Sequence, residues 1–242
     1  NGSAADQLAV RNEGSGAGQI GVSGSSVSYG GTTIGSFSGG VNGADLVITF
    51  SSAAATPAAV QALARNITFA NTSDNPSTLA RTLTFTVVDG DGGTQSDSDT
   101  ATVNITSVND APQVSASVSA TAYTEGGSAV AVDAALTVGD ADDTNIESAT
   151  ARISSGFQSG DSLAFVNTPQ ITGSYNSGTG VLTLSGTATL AQYQTALRSI
   201  TFQSGSDAPG SSKTVEWVVS DGTDNSVAAH TTIAVTAVND PP

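Results

Sequence analysis

The sequence predicts an all-β protein that contains two tandem β-sandwich domains. Its phrases recur at the spacing of a domain: RNITF at 65–69 returns as RSITF at 198–202, and TATVNITSVNDAP at 100–112 returns as HTTIAVTAVNDPP at 230–242. Apolar residues alternate with Thr and Ser inside these phrases, which is the period-two pattern of a strand with one buried face. Gly, Asn and Asp lie between the phrases and favour tight turns.

The two repeats are unequal in length and content. DQLAVRN at 6–12 matches DSLAFVN at 161–167 with an offset of 155, whereas the later phrases are offset by 130 to 133. Repeat 1, which we place at 1–110, therefore carries about 22 additional residues (155 − 133), mostly Gly and Ser. It has no counterpart of residues 113–155 of repeat 2, which we place at 111–242. Either the sequence begins within repeat 1 or repeat 1 is built differently; we favour the former and expect repeat 1 to lack its N-terminal strands.

One segment in each repeat breaks the alternation. In TPAAVQALARN, at 56–66, Thr56 can cap a helix, Pro57 suits the first helical position, and apolar residues follow at helical spacing. This spacing predicts one or two helical turns that cross between strands. TLAQYQTALRS at 189–199 predicts the same crossover in repeat 2.

The last two strands of each repeat form a predicted hairpin. TLTFTVV at 82–88 and TATVNITSV at 100–108 flank the turn sequence DGDGG, and repeat 2 has the same arrangement around DGTDN. Trp217 aligns with Phe85 on the inward face, so we expect it in the core rather than in a sugar-binding site. His230 is the only histidine, and no nucleophile motif accompanies it. We expect it on the surface of a strand and do not expect an enzyme.

Composition narrows the functional class. Twenty-one acidic residues against 6 basic ones give a formal net charge of −15. Nucleic acid and anionic membrane surfaces attract Lys and Arg, so we exclude both as partners. The absence of Cys excludes a disulfide framework and a thiolate metal site, and no apolar run is long enough to insert in a membrane. No signal peptide opens the sequence, and we expect any such signal to lie outside it.

The acidic residues are clustered along the chain. The two groups are Asp89, Asp91, Asp97, Asp99 and Asp110, and Asp140, Asp142, Asp143 and Glu147. Neighbouring carboxylates repel one another unless solvent or cations neutralise them. One interpretation is a solvated acidic surface, in which Asn-Asp-Ala-Pro is simply a good turn sequence. The other is a calcium site, because Ca²⁺ takes roughly 6–8 oxygen ligands from Asp-rich loops.

Repeat 2 carries four motifs in order: TEGG at 124–127, VGDADDTN at 138–145, VVSDG at 218–222 and VNDPP at 238–242. This ordered set resembles the extracellular cadherin repeat, with its early acidic residue, its DxD, its later xDx and its Asn-Asp linker. The closest resemblance is to the cadherin-like tandem repeats of large bacterial surface adhesins of the RTX type, exported by type I secretion. It covers all of repeat 2 and the second half of repeat 1, and it implies Ig-like, cadherin-like β-sandwich domains.

The resemblance also implies calcium (Ca²⁺) held at the boundaries between successive repeats. The ligands implied at the boundary between these two repeats are Asn109, Asp110, Asp140, Asp142, Asp143 and Asp221. Those implied at the outer boundaries are Asp89, which matches Asp221, and Glu125 with Asn239 and Asp240. The linker here is shorter than the family's linker motif, so we expect fewer ligands than the family has.

A mechanical function follows from the resemblance. We expect a calcium-stiffened spacer, secreted to a bacterial cell surface, that projects an adhesive domain in cell adhesion and biofilm formation. Its partners would be neighbouring repeats of the same chain, with cell-surface or glycan ligands bound through other domains. The alternative is a module that binds carbohydrate or protein through the insertion at 14–45, which we expect to be an exposed loop.

Overall fold

The structure, a computed structural model, describes residues 2–89 and 95–239. Over these residues the chain consists of β-strands and two short helices, which confirms the predicted all-β class. Neither of these helices has the length and apolar composition needed to cross a membrane. The chain divides into two compact units, unit 1 at Asn1–Ser107 and unit 2 at Val108–Pro242.

Unit 1 contains eight described strands and one helix. They are β1 (Asp6–Val10), β2 (Ile20–Ser23), β3 (Ser26–Tyr29), β4 (Thr32–Gly39), β5 (Leu46–Phe50), α1 (Pro57–Ala64), β6 (Ile67–Asn71), β7 (Arg81–Val88) and β8 (Ser96–Val103). β1 pairs with β6, β7 pairs with β8, and the remaining strands form a sheet in the order β2-β3-β4-β5. A small aliphatic core lies under α1, where Ala59 and Leu63 are buried.

The Gly/Ser-rich insertion folds as a β-meander. The expectation of an exposed loop at 14–45 is wrong for much of its length, because β2, β3 and β4 lie within it and pair antiparallel in sequence. Ile20, Val27 and Ile34 point from these strands into the core and are fully buried. One fully buried apolar residue on each strand, with Val22, Tyr29 and Phe37 packed beside the core, holds the strands in place despite the surrounding Gly and Ser.

Unit 2 contains eleven described strands and one helix. They are β9 (Gln113–Ser115), β10 (Thr121–Thr124), β11 (Val130–Ala131), β12 (Thr137–Gly139), β13 (Asn145–Ser155), β14 (Asp161–Ala164), β15 (Thr172–Asn176), β16 (Val181–Thr189), α2 (Leu190–Arg198), β17 (Thr201–Ser204), β18 (Ser212–Ser220) and β19 (Ala229–Thr236). A six-stranded sheet has the order β10-β19-β18-β13-β16-β15, a second sheet has the order β11-β17-β14, and β9 pairs with β12. These sheets enclose one core around Trp217, Tyr193 and Phe202, which is the arrangement of a β-sandwich.

Each helix begins at a capping threonine, as the sequence predicts. The Thr56 hydroxyl accepts from the backbone N–H of Ala59 at 3.4 Å, and Pro57 occupies the first turn of α1. Thr189 and Gln192 form a reciprocal capping box at the start of α2. The predicted crossover helices are therefore both present.

The predicted hairpins are present in both units and share one register. Thr84 pairs with Thr100 in unit 1, and Glu216 pairs with His230 at the corresponding positions of unit 2. His230 is exposed and Trp217 is fully buried, as predicted. The Asp-Gly-Asp-Gly-Gly turn of the first hairpin lies largely outside the described residues.

An ion pair, fully buried in unit 2 and partly buried in unit 1, occupies the same place in both units. In unit 2, Lys213 Nζ lies 2.7 Å from Asp161 Oδ2, and both side chains are fully buried. In unit 1, Arg81 Nε lies 2.7 Å from Asp6 Oδ2. The two pairs align by offsets already present in the sequence, 161 − 6 = 155 and 213 − 81 = 132. The repeat therefore keeps an opposite-charge pair although the cation changes from Arg to Lys.

Candidate metal centre

Three loops meet at one end of unit 2. β9 and β12 pair with Gln113 opposite Gly139, which brings the residues before β9 beside those after β12. β13 and β18 pair with Ser148 opposite Ser220, which brings the start of β13 beside the end of β18. The three loops are 108–112, 140–144 and 221–228.

Asn109 connects the first loop to the third. Its side-chain amide nitrogen donates to Asp221 Oδ2 and to Asp224 Oδ2, each at 3.0 Å. Asp221 Oδ1 accepts from the backbone N–H groups of Thr223 and Asp224, at 2.6 and 2.7 Å, so its carboxylate also closes the third loop. The Asn109 amide thus lies between two carboxylates, where positive charge is favoured.

Asp110 connects the first loop to the second. Its backbone N–H donates to both carboxylate oxygens of Asp142, each at 3.3 Å. Asp140 Oδ1 accepts from the N–H groups of Asp142 and Asp143, at 3.1 and 2.9 Å. Asp140 Oδ2 is buried without a hydrogen-bond partner. A buried carboxylate oxygen in that state is costly, and a cation is one group that would satisfy it.

The acidic residues perturb one another's protonation. Burial raises the pKa of Asp142, and a hydrogen bond with the Asp140 side chain and the charges of Asp140 and Asp110 raise it further, against the hydrogen bond from the Asp110 N–H. Burial also opposes ionisation of Asp221, but hydrogen bonds from Asn109 and from the backbone of its own loop leave its pKa lowered. Asp142 thus resists ionisation, whereas Asp221 is held in its ionised form. Such opposite shifts are expected where several carboxylates lie close together.

The donor chemistry of these residues fits a calcium ion. We define the acidic cluster as Asn109, Asp110, Asp140, Asp142, Asp221 and Asp224, whose carboxylate and amide oxygens are the hard ligands that Ca²⁺ prefers. In the described ranges, however, no three Asp, Glu, His or Cys side chains are placed so that they could jointly hold a metal ion. Binding at this cluster would therefore require its side chains to rearrange, with Asn109 turning its oxygen rather than its nitrogen toward the ion.

Glu125 lies at the other end of unit 2. β10 runs parallel to β19, so the residues that follow these two strands meet. Glu125 Oε2 accepts from the backbone N–H of Val238 at 2.7 Å, while its Oε1 is buried without a hydrogen-bond partner. Asn239 follows on the same segment, and Asp240 lies outside the described residues. Glu125 therefore lies beside the C-terminal linker that the resemblance pairs it with.

The two remaining predicted ligands, Asp143 and Asp89, have exposed side chains. Asp143 gives its backbone N–H to Asp140, while its own side chain is exposed. Asp89 belongs to unit 1, where it is exposed and its N–H donates to the carbonyl of Gln95 at 3.3 Å.

Asp224 is the cluster member that sequence reasoning missed. It aligns with Gly92 of repeat 1 (224 − 132 = 92), so comparison of the two repeats hides it. The sequence did contain a signal for it: Asp224 is the second acidic residue of DGTD, three residues after Asp221 in the same loop.

The meander of unit 1 holds the depression relevant to the alternative function. This shallow depression, about 310 Å³ in volume, is lined by Asn12, Gly14, Ser15, Gly21, Val22, Ser23 and Ser28. Asn12 Oδ1 is occupied by the backbone N–H of Val22 at 3.1 Å. The lining residues are small and include no aromatic ring, so the depression lacks the large apolar surface typical of ligand pockets.

The fold and the acidic cluster define a class: an all-β protein of tandem repeats with acidic loops at a repeat end. No family model matches the chain. Halomucin of Haloquadratum walsbyi is 38% identical to it over 168 residues, which cover 67% of the chain. The chain spans about 2% of the length of halomucin. The structure of mouse clustered PcdhgC3 EC1-3 is similar over 66% of this chain and 44% of that one, with 17% identity and a TM-score of 0.28, a likeness too distant for a site comparison.

Proposed function

We propose that the chain is a calcium-binding tandem repeat of a large secreted or cell-surface adhesin. Its role is that of a spacer, which projects an adhesive domain away from the cell. The observation that carries the proposal is the contact of Asn109 and Asp110, at the start of unit 2, with Asp221, Asp224 and Asp142. The similarity to a short part of the much longer halomucin supports a place in a long chain.

Calcium at the acidic cluster would act on the segment that joins the repeats. The ion supplies positive charge, which favours the ionised form of Asp142 and removes the repulsion among the carboxylates. Asn109 and Asp110 then hold 108–112 to the two Asp-rich loops, and buried Pro112 restricts this segment further. Fewer conformations of the linker mean less bending between successive repeats. The resemblance to type I-secreted RTX adhesins makes biofilm adhesion the setting that we expect.

Thermal unfolding with calcium and with a chelator tests the calcium site. In millimolar calcium we expect the midpoint of unit 2 to rise by roughly 5–10 °C, because a ligand that binds only the folded state stabilises it. Asp140→Asn combined with Asp142→Asn should abolish this rise and leave unit 2 folded, since neither residue belongs to the core. Asp74→Asn with Asp207→Asn is the matched control: it removes the same charge from exposed positions and should keep the rise.

The outcomes separate two kinds of error. A double variant of Asp140 and Asp142 that keeps the full response would exclude the acidic cluster as the site. An unmodified chain with the same midpoint in calcium, magnesium and chelator would exclude calcium binding itself.

Solution scattering tests the spacer role independently of stability. We expect calcium to narrow the distribution of the maximum dimension of the chain, because it orders the linker at 108–112. An unchanged distribution, in a sample whose midpoint does respond to calcium, would leave a calcium site but contradict the stiffening function.

A further inference from the structure

Unit 1 contains the triplet Asn-x-Ser/Thr, which is the acceptor sequence for N-glycosylation when x is not Pro. Copies of it begin at Asn66, Asn71 and Asn104, and a further copy begins at Asn1, which lies outside the described residues. The sequence of unit 2 has no such triplet. Because a three-residue pattern often occurs by chance, the surroundings of each asparagine decide whether a sugar can be attached there.

The fold excludes Asn66 as an acceptor. This residue is 6% exposed, and its side-chain nitrogen donates to Glu13 Oε2 at 3.1 Å and to the carbonyl of Ala62 at 3.0 Å. Both amide hydrogens are therefore used inside unit 1. A sugar on this nitrogen would replace one of them and would place a large polar group in a buried position.

Asn71 is also held by its neighbours. Its side-chain nitrogen donates to Asp6 Oδ1 at 2.6 Å, and its side-chain oxygen accepts from the backbone N–H of Ser73 at 2.9 Å. Asp6 is the partner of Arg81 in the ion pair of unit 1. A sugar at Asn71 would therefore crowd this ion pair.

Asn104 differs from both because its side chain faces solvent. It follows the end of β8 at Val103, and residues 104–107 have no regular secondary structure. Asn104 and Thr106 are exposed, whereas Val103 and Ile105 are half-buried, so both recognised residues of the triplet lie on the outward side of this segment. Among the residues that the structure describes, none forms a hydrogen bond with the Asn104 side chain.

The equivalent position of unit 2 faces outward as well. Ala234 matches Asn104 with an offset of 130 and lies in β19, which pairs with β10 on one side and with β18 on the other. Ala234 is nevertheless exposed, while its neighbours Ile233 and Val235 are buried. A side chain at this position therefore points away from the core even where the sheet continues on both sides. The exposure of Asn104 thus belongs to the repeat and does not depend on which strands flank β8.

We propose that Asn104 is an N-glycosylation site that receives an oligosaccharide from a lipid-linked donor, through an oligosaccharyltransferase. The Asn104 side-chain nitrogen forms a bond to C1 of the first sugar, and the bond from C1 to a phosphate oxygen of the donor breaks. The electron pair of that bond leaves with the lipid phosphate, and one amide hydrogen is released as a proton. Thr106 supplies the hydroxyl that the acceptor triplet requires. Transfer of this kind acts on exported proteins, so the site rests on the cell-surface location in the proposed function but not on calcium.

Secretion of the chain from yeast, followed by peptide mass spectrometry, tests the site. Endoglycosidase H leaves a single sugar on each glycosylated asparagine, and we expect this mass tag at Asn104 and its absence at Asn66 and Asn71. Thr106→Val should abolish the tag, whereas Thr106→Ser should keep it, because serine retains the hydroxyl. Thr236→Val is the matched control, since it makes the same change at the equivalent exposed position of unit 2 and should leave the tag unchanged.

Two results would overturn the proposal. One is an unmodified Asn104 in secreted chain from cells that glycosylate a control glycoprotein. The other is equal modification of Asn66 and Asn104 in the folded chain, because burial would then not select the acceptor. If yeast does not secrete the chain, the purified chain incubated with an oligosaccharyltransferase and a lipid-linked oligosaccharide decides between the same outcomes. A tag at Asn104 in a chain whose thermal midpoint ignores calcium would support the glycosylation site and contradict only the calcium site.

Discussion

At the buried pair of unit 2, the Lys213 ammonium donates to three acceptors. They are the carbonyl of Gly156 at 2.7 Å, Oε1 of Gln158 at 3.1 Å and Oδ2 of Asp161 at 2.7 Å. Asp161 Oδ2 also accepts from the backbone N–H of Gln158 at 2.8 Å. Each charge has left water and depends on the other, so the pair specifies how these segments meet more than it adds net stability.

Asp161→Asn should destabilise unit 2 by about 3–5 kcal/mol, because it leaves the buried ammonium of Lys213 without its counter-charge. The free energy of unfolding in urea, followed by Trp217 fluorescence, measures this loss. Replacement of both partners, Asp161→Leu with Lys213→Met, is the control and should recover most of the stability. A cost below about 1 kcal/mol for the single change would show that Lys213 is satisfied without the carboxylate.

Asp6 should make the stability of unit 1 depend on pH. It is the acidic partner of Arg81 in the ion pair that corresponds to Lys213 and Asp161 of unit 2. Burial acts to raise its pKa, but hydrogen bonds from Asn71, Ser3 and Arg81 and the charge of Arg81 together lower the pKa to about 2. The folded pKa therefore lies below the unfolded value of 3.8. The ionised carboxylate contributes its full stabilisation above about pH 4, and this contribution is lost as the pH falls from about 4 to 2.

The free energy of unfolding of unit 1 should thus decrease as the pH falls from about 4 to 2, and this decrease should be smaller in the Asp6→Asn variant. Urea unfolding from pH 5 to pH 2, monitored by hydrogen exchange of the β1 and β6 peptides, measures the slope. Asp45→Asn, at an exposed position, serves as the control and should keep it. An equal slope in the Asp6 variant would assign the acid sensitivity to other carboxylates.

Residue-level burial was the part least accessible from the sequence. Asp133 is 2% exposed, and its carboxylate accepts from the Ser117 and Ala135 backbone N–H groups and from the Thr231 hydroxyl. Thr231 also accepts from Trp217 Nε1. Residue type alone marks Asp133 as a surface residue, and one of the three donors that satisfy its buried carboxylate, Thr231, lies 98 residues away in the chain. The burial of Lys213 could not be predicted either, because its counter-charge, Asp161, is also distant in the chain.

At the scale of elements, prediction succeeded wherever the signal was local. The capping threonines and helical spacing identified both crossover helices, and alternation with turn residues identified both hairpins. The meander at Ile20–Gly39 was missed because its Gly and Ser content resembles a loop, and single buried residues such as Val27 carry the strand signal. The register of β13 between two sequence-distant strands had no local signal at all.

Thr189→Ala should destabilise unit 2 by about 1 kcal/mol, because the backbone N–H of Gln192 loses the hydroxyl acceptor at the start of α2. Chemical denaturation of unit 2 measures this cost. Thr189→Ser keeps an acceptor at the same place and should lie within about 0.5 kcal/mol of the unmodified chain. Equal losses for the alanine and serine variants would point to the Thr189 methyl group rather than to its hydroxyl.

At the scale of the whole molecule, the acidic residues behind the formal charge of −15 are clustered rather than evenly spread along the chain. The repeat comparison and the resemblance predicted that Asn109, Asp110, Asp142 and Asp221 lie near one another, and the strand pairings of unit 2 bring them together. The spacing of their carboxylates could not be predicted, because loop geometry depends on hydrogen bonds such as that from Asn109 to Asp224. That spacing decides whether calcium must move the loops in order to bind.

A calcium titration followed by nuclear magnetic resonance of the amide groups tests the central claim most directly, because it reports on each loop separately. A calcium site at the acidic cluster predicts saturable shifts of the Asn109 side-chain amide and of the backbone amides at 140–143 and 221–224, with little change at equal magnesium. Asp140→Asn with Asp142→Asn should remove them. Shifts that do not saturate, or that centre elsewhere while the Asn109 amide stays unchanged, would contradict a calcium site at the acidic cluster.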